Sequence, residues 1–502
     1  MAIIPLARFA PDKAKFNTDA LSSVNNVVPA TDGWKPLKQI VQTPAIYDYL
    51  VWENGDYITD QNGNRLVVGT DWSGLGGEIT LPDTATMFFV ARKRDGTEVL
   101  FCGTETQLFK YNATSNVWED VSSTTYASVV PWVAVQFGDY VLCQNGFDSE
   151  QLFDIENDTE FSDNATAPIC KTMAVVKNFV ARGNIVSWAS QSITNQPRMF
   201  QCSAIEDPTD NEPQNFNFSD YQTFATGTEI KAIIPFGEGC IVEMKDARYV
   251  ANFVMDQFTF TAQPVDETRG TPAAYSIGLL GPSDYCMYRD DGFWRINMGG
   301  SKNIGNEKVN QFFAADCDQE QRESIRACVD PENLVCWFSY TDTNGDRKML
   351  GYHYLLDEWT ASDIDVVVAA TARTFEYGST ITTAGLLRFA VIDSDGVLGY
   401  LVGPNAQAEF GTNEVLHNKD RSFVNGLRLI TDASTYSVIV TTRDVLGGST
   451  RARSSATPSS RSGLVPARAD GRAHIYDFTI PAGTTWTTAT AADIDVKASG
   501  RS

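Results

Sequence analysis

Arg289-Asp290-Asp291-Gly292-Phe293-Trp294-Arg295-Ile296 reads as strand, two-residue turn, strand. Asp-Gly tolerates the positive φ angles of a tight hairpin, and the aromatic pair after it suits a pleated, half-buried surface. Related phrases recur along the chain. Leu108-Phe109-Lys110-Tyr111, Leu152-Phe153-Asp154, Arg198-Met199-Phe200 and Arg248-Tyr249-Val250 come before it, and Gly351-Tyr352-His353-Tyr354 and Leu398-Gly399-Tyr400-Leu401 come after. With Phe109, Phe153, Phe200, Tyr249, Trp294, Tyr352 and Tyr400 as strand markers, the steps are 44, 47, 49, 45, 58 and 48 residues. A period of roughly 40–50 residues with aromatics at strand positions is what propeller blades leave in a sequence. Each blade is a small sheet that cannot cover both faces alone, so neighbours must stack. The pattern predicts an all-β chain with a β-propeller-like core of six or seven blades and the markers on equivalent strands. The phrase has no fixed consensus, so an ordinary multi-sheet β fold stays open.

Turn chemistry agrees with the all-β reading. Asn-Gly begins at 54, 62, 145, 344 and 425, and Asp-Gly at 32, 95, 291, 395 and 470, mostly between apolar or alternating runs. Helical signal is thin. Val309, Phe312 and Phe313 have i, i+3, i+4 spacing after Asn306, enough for one short helix.

The 502 residues suffice for two or three domains with a large core. No apolar run approaches the ~18 residues of a membrane span. Ile3 to Ala7 is too short for a signal peptide's apolar region, which predicts a chain that matures inside a cell. Nine cysteines lie between Cys102 and Cys336 with no Cys-x-x-Cys pair, predicting buried thiols rather than disulfides or a zinc site. The net charge is −24, unevenly spread: residues 421–502 carry ten Lys/Arg and six Asp, and residues 1–420 carry −28. Such acidity argues against a protein that grips nucleic acid through its phosphates. It serves either solubility or a surface past which DNA slides without sticking.

Four sections follow. Residues 1–45 hold Pro5, Pro11, Pro29, Pro36 and Pro44 without periodicity, and predict an extended N-terminal arm laid over other surfaces. Residues 46–402 hold the repeats, 403–420 a linker opened by Gly403-Pro404-Asn405, and 421–502 a C-terminal β module. In that module Tyr436 to Val440 and Tyr476 to Ile480 read as strands around a polar stretch from Gly447 to Arg461, suggesting a small β-sandwich.

Catalytic motifs are scarce. The histidines are His353, His417 and His474, and His353 sits in an alternating strand as a structural residue would. There is no Gly-x-Ser-x-Gly elbow or His-Glu-x-x-His helix. Gly74-Leu75-Gly76-Gly77 and Gly237-Glu238-Gly239 lack the strand-to-helix setting of a phosphate loop. Asp342-Thr343-Asn344-Gly345-Asp346 resembles a calcium loop, but Arg347 takes the sharp-turn position, so a hairpin is expected. No enzyme, cofactor or metal site is assigned. A propeller glycosidase with a carboxylate pair stays open.

Asn25-Asn26-Val27-Val28-Pro29-Ala30-Thr31-Asp32-Gly33-Trp34-Lys35-Pro36-Leu37, followed in order by segments near 203, 291, 350 and 476, resembles the tail nozzle proteins of short-tailed bacteriophages, also called tail hub, tail tubular B-type or packaged-DNA stabilisation proteins. The first of these segments is similar to their opening. Ser203 to Thr209 looks like their turn after a propeller strand, although Asp210-Asn211-Glu212 replaces the usual tryptophan that follows it. Asp291 to Arg295 with Ile304-Gly305-Asn306-Glu307-Lys308-Val309-Asn310 resembles their most recognisable block. Leu350 to Tyr354 with Glu358-Trp359 looks like their next strand pair, and Tyr476 to Pro481 with Ala482 to Trp486, closing at Gly500-Arg501, resembles their terminal module.

The resemblance implies a virion tail protein assembled in the host bacterial cytoplasm. It would form a homo-oligomeric ring, usually a hexamer, that extends the DNA exit channel below portal and adaptor and helps retain the genome. Implied partners are the adaptor above and further tail fibre or needle proteins, with duplex DNA passing the lumen without specific binding. Pro29, Gly33, Trp34 and Pro36 are the expected assembly interface, with Trp34 anchoring on a neighbour or packing on its own chain. On the arm reading, residues 1–36 are dispensable for folding. The alternative is a receptor-binding or fibre-like virion component.

Overall fold

Six four-stranded antiparallel meanders and a seventh four-stranded sheet account for most of the described chain, alongside two six-stranded sheets and a short pairing of Asp48–Tyr49 with Val67–Val68. The structure is a computed structural model. It describes residues 2–499 except 17, 43–47, 50–66, 69–79, 114, 116, 128–130, 215, 255–257, 374–385, 418–420, 446–447 and 460. The Asn-Gly pairs at 54 and 62, Pro44 and Gly74 to Gly77 lie outside the described residues. The fold is all-β and propeller-like, with one α-helix, Asn310–Asp316, among the described residues. By compactness the chain forms two units: Ile40–Ala165 with Val367–Tyr400, and Met1–Gln39 with Thr166–Val366 and Leu401–Ser502.

The unit built on Ile40–Ala165 holds three blades. The first runs Met87–Arg92, Glu98–Gly103, Leu108–Asn112, Val117–Asp120, and the second Val133–Phe137, Tyr140–Gln144, Gln151–Asp154, Ser162–Asp163. The third runs Val368–Arg373, Leu387–Ile392, Leu398–Asn405 and takes its fourth strand, Lys38–Gln42, from near the N-terminus. Asp-Gly turns close two hairpins here, with Gly96 and Gly396 at φ +86 and +74. In the second of these, Asp393 Oδ1 accepts from the N–H groups of Asp395 (3.1 Å) and Val397 (3.0 Å), the side chain mimicking a backbone turn. One face of the first blade (Phe109, Tyr111, Trp118) packs on Ala390, Ile392 and Tyr400. Its other face (Phe101, Leu108) packs on Val141, Cys143 and Phe153, with the Phe101 and Phe153 rings 5.2 Å apart.

The other unit holds four blades: Ile169–Val176 to Asp220–Thr223, Ile230–Phe236 to Phe260–Asp266, Ile277–Gly281 to Gly300–Asn303, and Arg326–Asp330 to Glu358–Ser362. Apolar clusters join them in pairs, such as Phe200 and Phe179 with Val242 and Tyr249. All seven aromatic markers lie on the third strand of their own sheet. They share the strand but not the face: Phe153 and Tyr249 pack on the preceding blade, whereas Phe200 packs on the following one, its ring 5.7 Å from Phe260. Side chains alternate across a strand, so a marker chosen one residue off changes face.

The same unit contains a β-sandwich. One sheet has the order Val27–Ala30, Gly33–Pro36, Ala489–Ala498, Ser422–Thr431, Val465–Gly471, with Ala2–Pro5 beside Ala489–Ala498. The other has the order Arg8–Phe9, Ala20–Asn25, Ala408–Thr412, Ala473–Ile480, Ser437–Arg443, Arg451–Ala452. Three expectations change here. The N-terminal arm is not an appendage: its strands complete both sheets of the C-terminal module. Residues 403–420 are not a linker, because Ala408–Thr412 is an interior strand. Asn425-Gly426 is a bulge inside Ser422–Thr431 rather than a turn, where the register against Val465–Gly471 shifts. The prolines fit strand edges: Pro29 lies in an edge strand, and Pro5 and Pro36 end theirs.

Candidate functional site

The residues expected at an assembly interface fold inward. Gly33 has φ +145 and lies against the Ala489 carbonyl, leaving no room for a side chain. Trp34 is 1% exposed, and its Nε1 donates to the carbonyls of Leu6 (3.1 Å) and Ala7 (3.3 Å). Its ring meets Phe410 edge-on at 6.1 Å, and Phe410 meets Trp486 at 6.4 Å. Pro29 is buried opposite Trp34 in the hairpin register, and Pro36 is half-buried opposite Val27. Trp34 therefore packs on its own chain, in the sandwich core, and is not available to a neighbour.

The segments around the Asp291 motif make one connected site. Asn310 Oδ1 accepts the Phe293 N–H (3.2 Å), and its Nδ2 donates to the Asp291 carbonyl (3.4 Å) and Asn303 Oδ1 (3.2 Å). Gly292 (φ +111) and Gly305 both abut the Asn310 side chain, so a Cβ at either would overlap it. Phe293 is fully buried, with ring centroids 4.8 Å from Phe313, 4.8 Å from Phe338 and 5.0 Å from Trp359. Trp359 Nε1 donates to the Ile304 carbonyl (2.9 Å), and its ring lies 5.2 Å from Tyr352. Val309 supplies no capping side chain to the helix. Asp12 does so from far away in sequence, accepting from the N–H groups of Gln311 (2.8 Å) and Phe312 (2.7 Å). Its carboxylate sits where the helix dipole favours negative charge.

The N-terminal hairpin closes the site from the other side. Thr360 Oγ1 donates to the Val27 carbonyl, Ser362 Oγ to Asn26 Oδ1 (2.7 Å), and Asn25 and Asn26 amides to Asp363 (2.8 and 2.7 Å). Arg8 pairs with Glu358 at 2.8 Å. The arrangement is a mechanical junction of blade, helix and sandwich. Its polar groups are spent on one another, and it offers no unpaired base or nucleophile.

A cleft of about 480 Å³ beside it is lined by Arg295, Ser301, Lys302, Tyr354, Leu355 and Asp357. Its charges are already matched. Arg295 holds Asp284 (2.9 Å from Nε) and the Tyr354 carbonyl (2.8 Å), while Lys302 (2.8 Å) and Lys308 (3.1 Å) share Asp357. His353 is buried, and its Nδ1 accepts the Leu356 N–H at 3.2 Å, a structural role. The Asp342 stretch is a hairpin turn whose carboxylate binds Lys348 (2.8 Å) and the Asp346 N–H (2.9 Å). The lysine holds Asp342 at about 2. Among the described residues no three His, Cys, Asp or Glu side chains converge as a metal site would. None of the nine cysteines is in a disulfide, and eight are buried; burial pushes Cys202 and Cys328 up to about 12, which keeps them as unreactive thiols.

Sequence reading missed the histidine pair in the sandwich. His474 is fully buried, its ring 5.3 Å from His417, and His417 Nε2 shares a 2.6 Å hydrogen bond with the Tyr476 hydroxyl. Burial first, then the facing His474, lowers His417 to about 4, and burial lowers His474 too. Both rings are held neutral in the folded state. Their stabilisation is full above the unfolded histidine value of ~6.5 and is lost as pH falls from there toward about 4. We expect the sandwich to lose on the order of 2 kcal/mol across that window, after allowing for the partial exposure of His417. Urea melts at pH 7 and 4.5 check it. His417→Gln should flatten part of the slope, and equal slopes in both proteins would refute the assignment.

Compared with known proteins, the chain matches no protein-family profile and no curated relative. Solved structures with a similar trace include the N-terminal domain of Nup159, at 11% identity over 65% of this chain and 93% of that one, TM-score 0.36. They also include the Pan2 WD40 domain of Neurospora crassa, at 7% identity over 75% and 98%, TM-score 0.39. A fungal alcohol oxidase in complex with copper follows, at 8% identity over 83% and 99%, TM-score 0.40. At these values no function transfers, and the sheet order itself carries the fold.

Proposed function

We propose that this chain is a structural virion protein, the nozzle ring of a short-tailed bacteriophage tail, which extends the DNA exit channel and helps retain the genome. The observation that carries the reading is the place where the resembling segments meet. The Asn25–Leu37, Asp291–Asn310 and Leu350–Trp359 segments join at the Asn310 and Trp359 junction, and Tyr476–Trp486 adjoins it through Phe410 and Trp34. Segments far apart in sequence that lock one junction suit a rigid structural part. The acidic balance of residues 1–420 suits a wall that duplex DNA passes without adhering. On this reading the protein is not an enzyme, and its partners are further copies, an adaptor and distal tail proteins.

Electron microscopy of the purified chain tests the reading. Sixfold rings are the expected result, and trimers would favour the receptor-binding alternative. Fluorescence anisotropy with a duplex of ~20 base pairs should show little binding even at ~50 mM salt, where electrostatic binding is strongest. Tight, salt-sensitive binding would overturn the passive-wall reading.

A further inference from the structure

The sandwich carries a basic edge in an otherwise acidic protein. Residues 443–472 contain six arginines, two aspartates and no lysine or aromatic residue. Arg451 lies on the last strand of one sheet and Arg468 on the last strand of the other. Arg453 and Arg461 lie on the loop between those strands, and all four are exposed, Arg451 while reaching Asp444 of its own chain at 3.6 Å. The loop is tied to its sheet by paired bonds between Val438 and Ala456 (2.9 and 3.1 Å) and by the Arg453 N–H to the Val440 carbonyl (3.0 Å). The two edges therefore form one surface.

We propose that this arginine edge docks on the acidic surface of a second copy of the chain, head to tail. The inference rests on the nozzle reading for the ring but draws its contact from charge. Residues 1–420 of any neighbour carry −28, so the complementary surface is always present at the protein's own concentration. A two-fold contact centred on this edge would set arginine against arginine, so the edge must meet a different, acidic surface of the neighbour, and a head-to-tail contact of that kind gives a ring when its rotation closes. Guanidinium groups pair with carboxylates through a planar fork, which suits an all-arginine edge to a carboxylate-rich partner. The absence of aromatic residues removes the stacking that single-stranded nucleic acid binding uses. Strand addition at the Val465–Gly471 edge is already hindered, because Pro466 lacks a donor and Arg468 sits at a bulge with φ +47. Arg468 is thus not needed to guard that backbone.

The test uses the full chain and the quadruple variant Arg451→Glu, Arg453→Glu, Arg461→Glu, Arg468→Glu, with a Lys version at the same four positions. Sedimentation at 50 and 500 mM salt should show a wild-type oligomer that weakens with salt. The Glu variant should associate at least about tenfold more weakly, and the Lys variant should retain most of the association. Unchanged circular dichroism melts in both variants are required for this result. A Glu variant that assembles like wild type overturns the docking edge while leaving the nozzle reading intact. A wild-type monomer at both salts overturns both. Duplex DNA binding that the Glu variant abolishes would assign the edge to nucleic acid instead and end the proposal.

Discussion

Deleting residues 1–36 is expected to abolish folding of the C-terminal sandwich. The deletion removes Val27–Ala30 and Gly33–Pro36 beside Ala489–Ala498, and Ala20–Asn25 beside Ala408–Thr412. Besides Ala10 and Ala20 it takes eight larger core side chains: Ile4, Leu6, Phe9, Leu21, Val24, Val27, Val28 and Trp34. At roughly 1.5–3 kcal/mol for each buried side chain the loss is on the order of 10–20 kcal/mol, as large as the net stability of most domains. The interior strand Ala408–Thr412 would also gain an open edge. Limited proteolysis should cut the truncated protein within residues 408–498 under conditions that spare the full chain. Trp34→Ala is the graded form, at about 3–5 kcal/mol with intact protein at low denaturant. A truncation with a native-like melt would show that the N-terminal strands only decorate the sandwich.

The blades were legible and the sandwich only half so, for a physical reason. Phe109 through Tyr400 mark third strands because the first three strands of each blade follow one another in sequence, and in five of the seven blades an Asp-Gly or Asn-Gly pair lies in a turn between neighbouring strands. The strands Lys38–Gln42, Ala2–Pro5, Ala20–Asn25 and Gly33–Pro36 each pair with a partner more than 300 residues away, and no local pattern announces such a pairing. Proline density pointed to an extended arm. The backbone there is extended, but edge strands tolerate proline too, so extension did not mean lack of partners. At the junction, Gly292, Gly305 and Asn310 stood in the sequence within one recognisable block, whereas Asp12 as the helix cap had no sequence signal at all. The buried histidine pair was hidden for the same reason. His417 and His474 meet only because Val415 and His474 exchange backbone bonds of 2.8 and 3.0 Å across the sheet.

Phe293→Ala should be the most damaging single substitution at the junction, costing about 3–5 kcal/mol. The ring is fully buried and meets Phe313, Phe338, Trp359 and Tyr288, at centroid distances of 4.8, 4.8, 5.0 and 5.3 Å. Those neighbours belong to a helix and two adjacent blades, so they cannot collapse into the space without shifting a sheet. Cavities that stay open are the expensive ones. Asn310→Ala attacks the same place through its polar half. It strands the Phe293 N–H and removes the bonds to Asp291 and Asn303, a loss of about 1–3 kcal/mol. The two sites share Phe293, so the double variant should lose less than the two single losses combined. Urea midpoints of the four proteins measure that coupling. Strict additivity would mean that the aromatic cluster and the asparagine anchor are independent features, and that the junction is not a single unit.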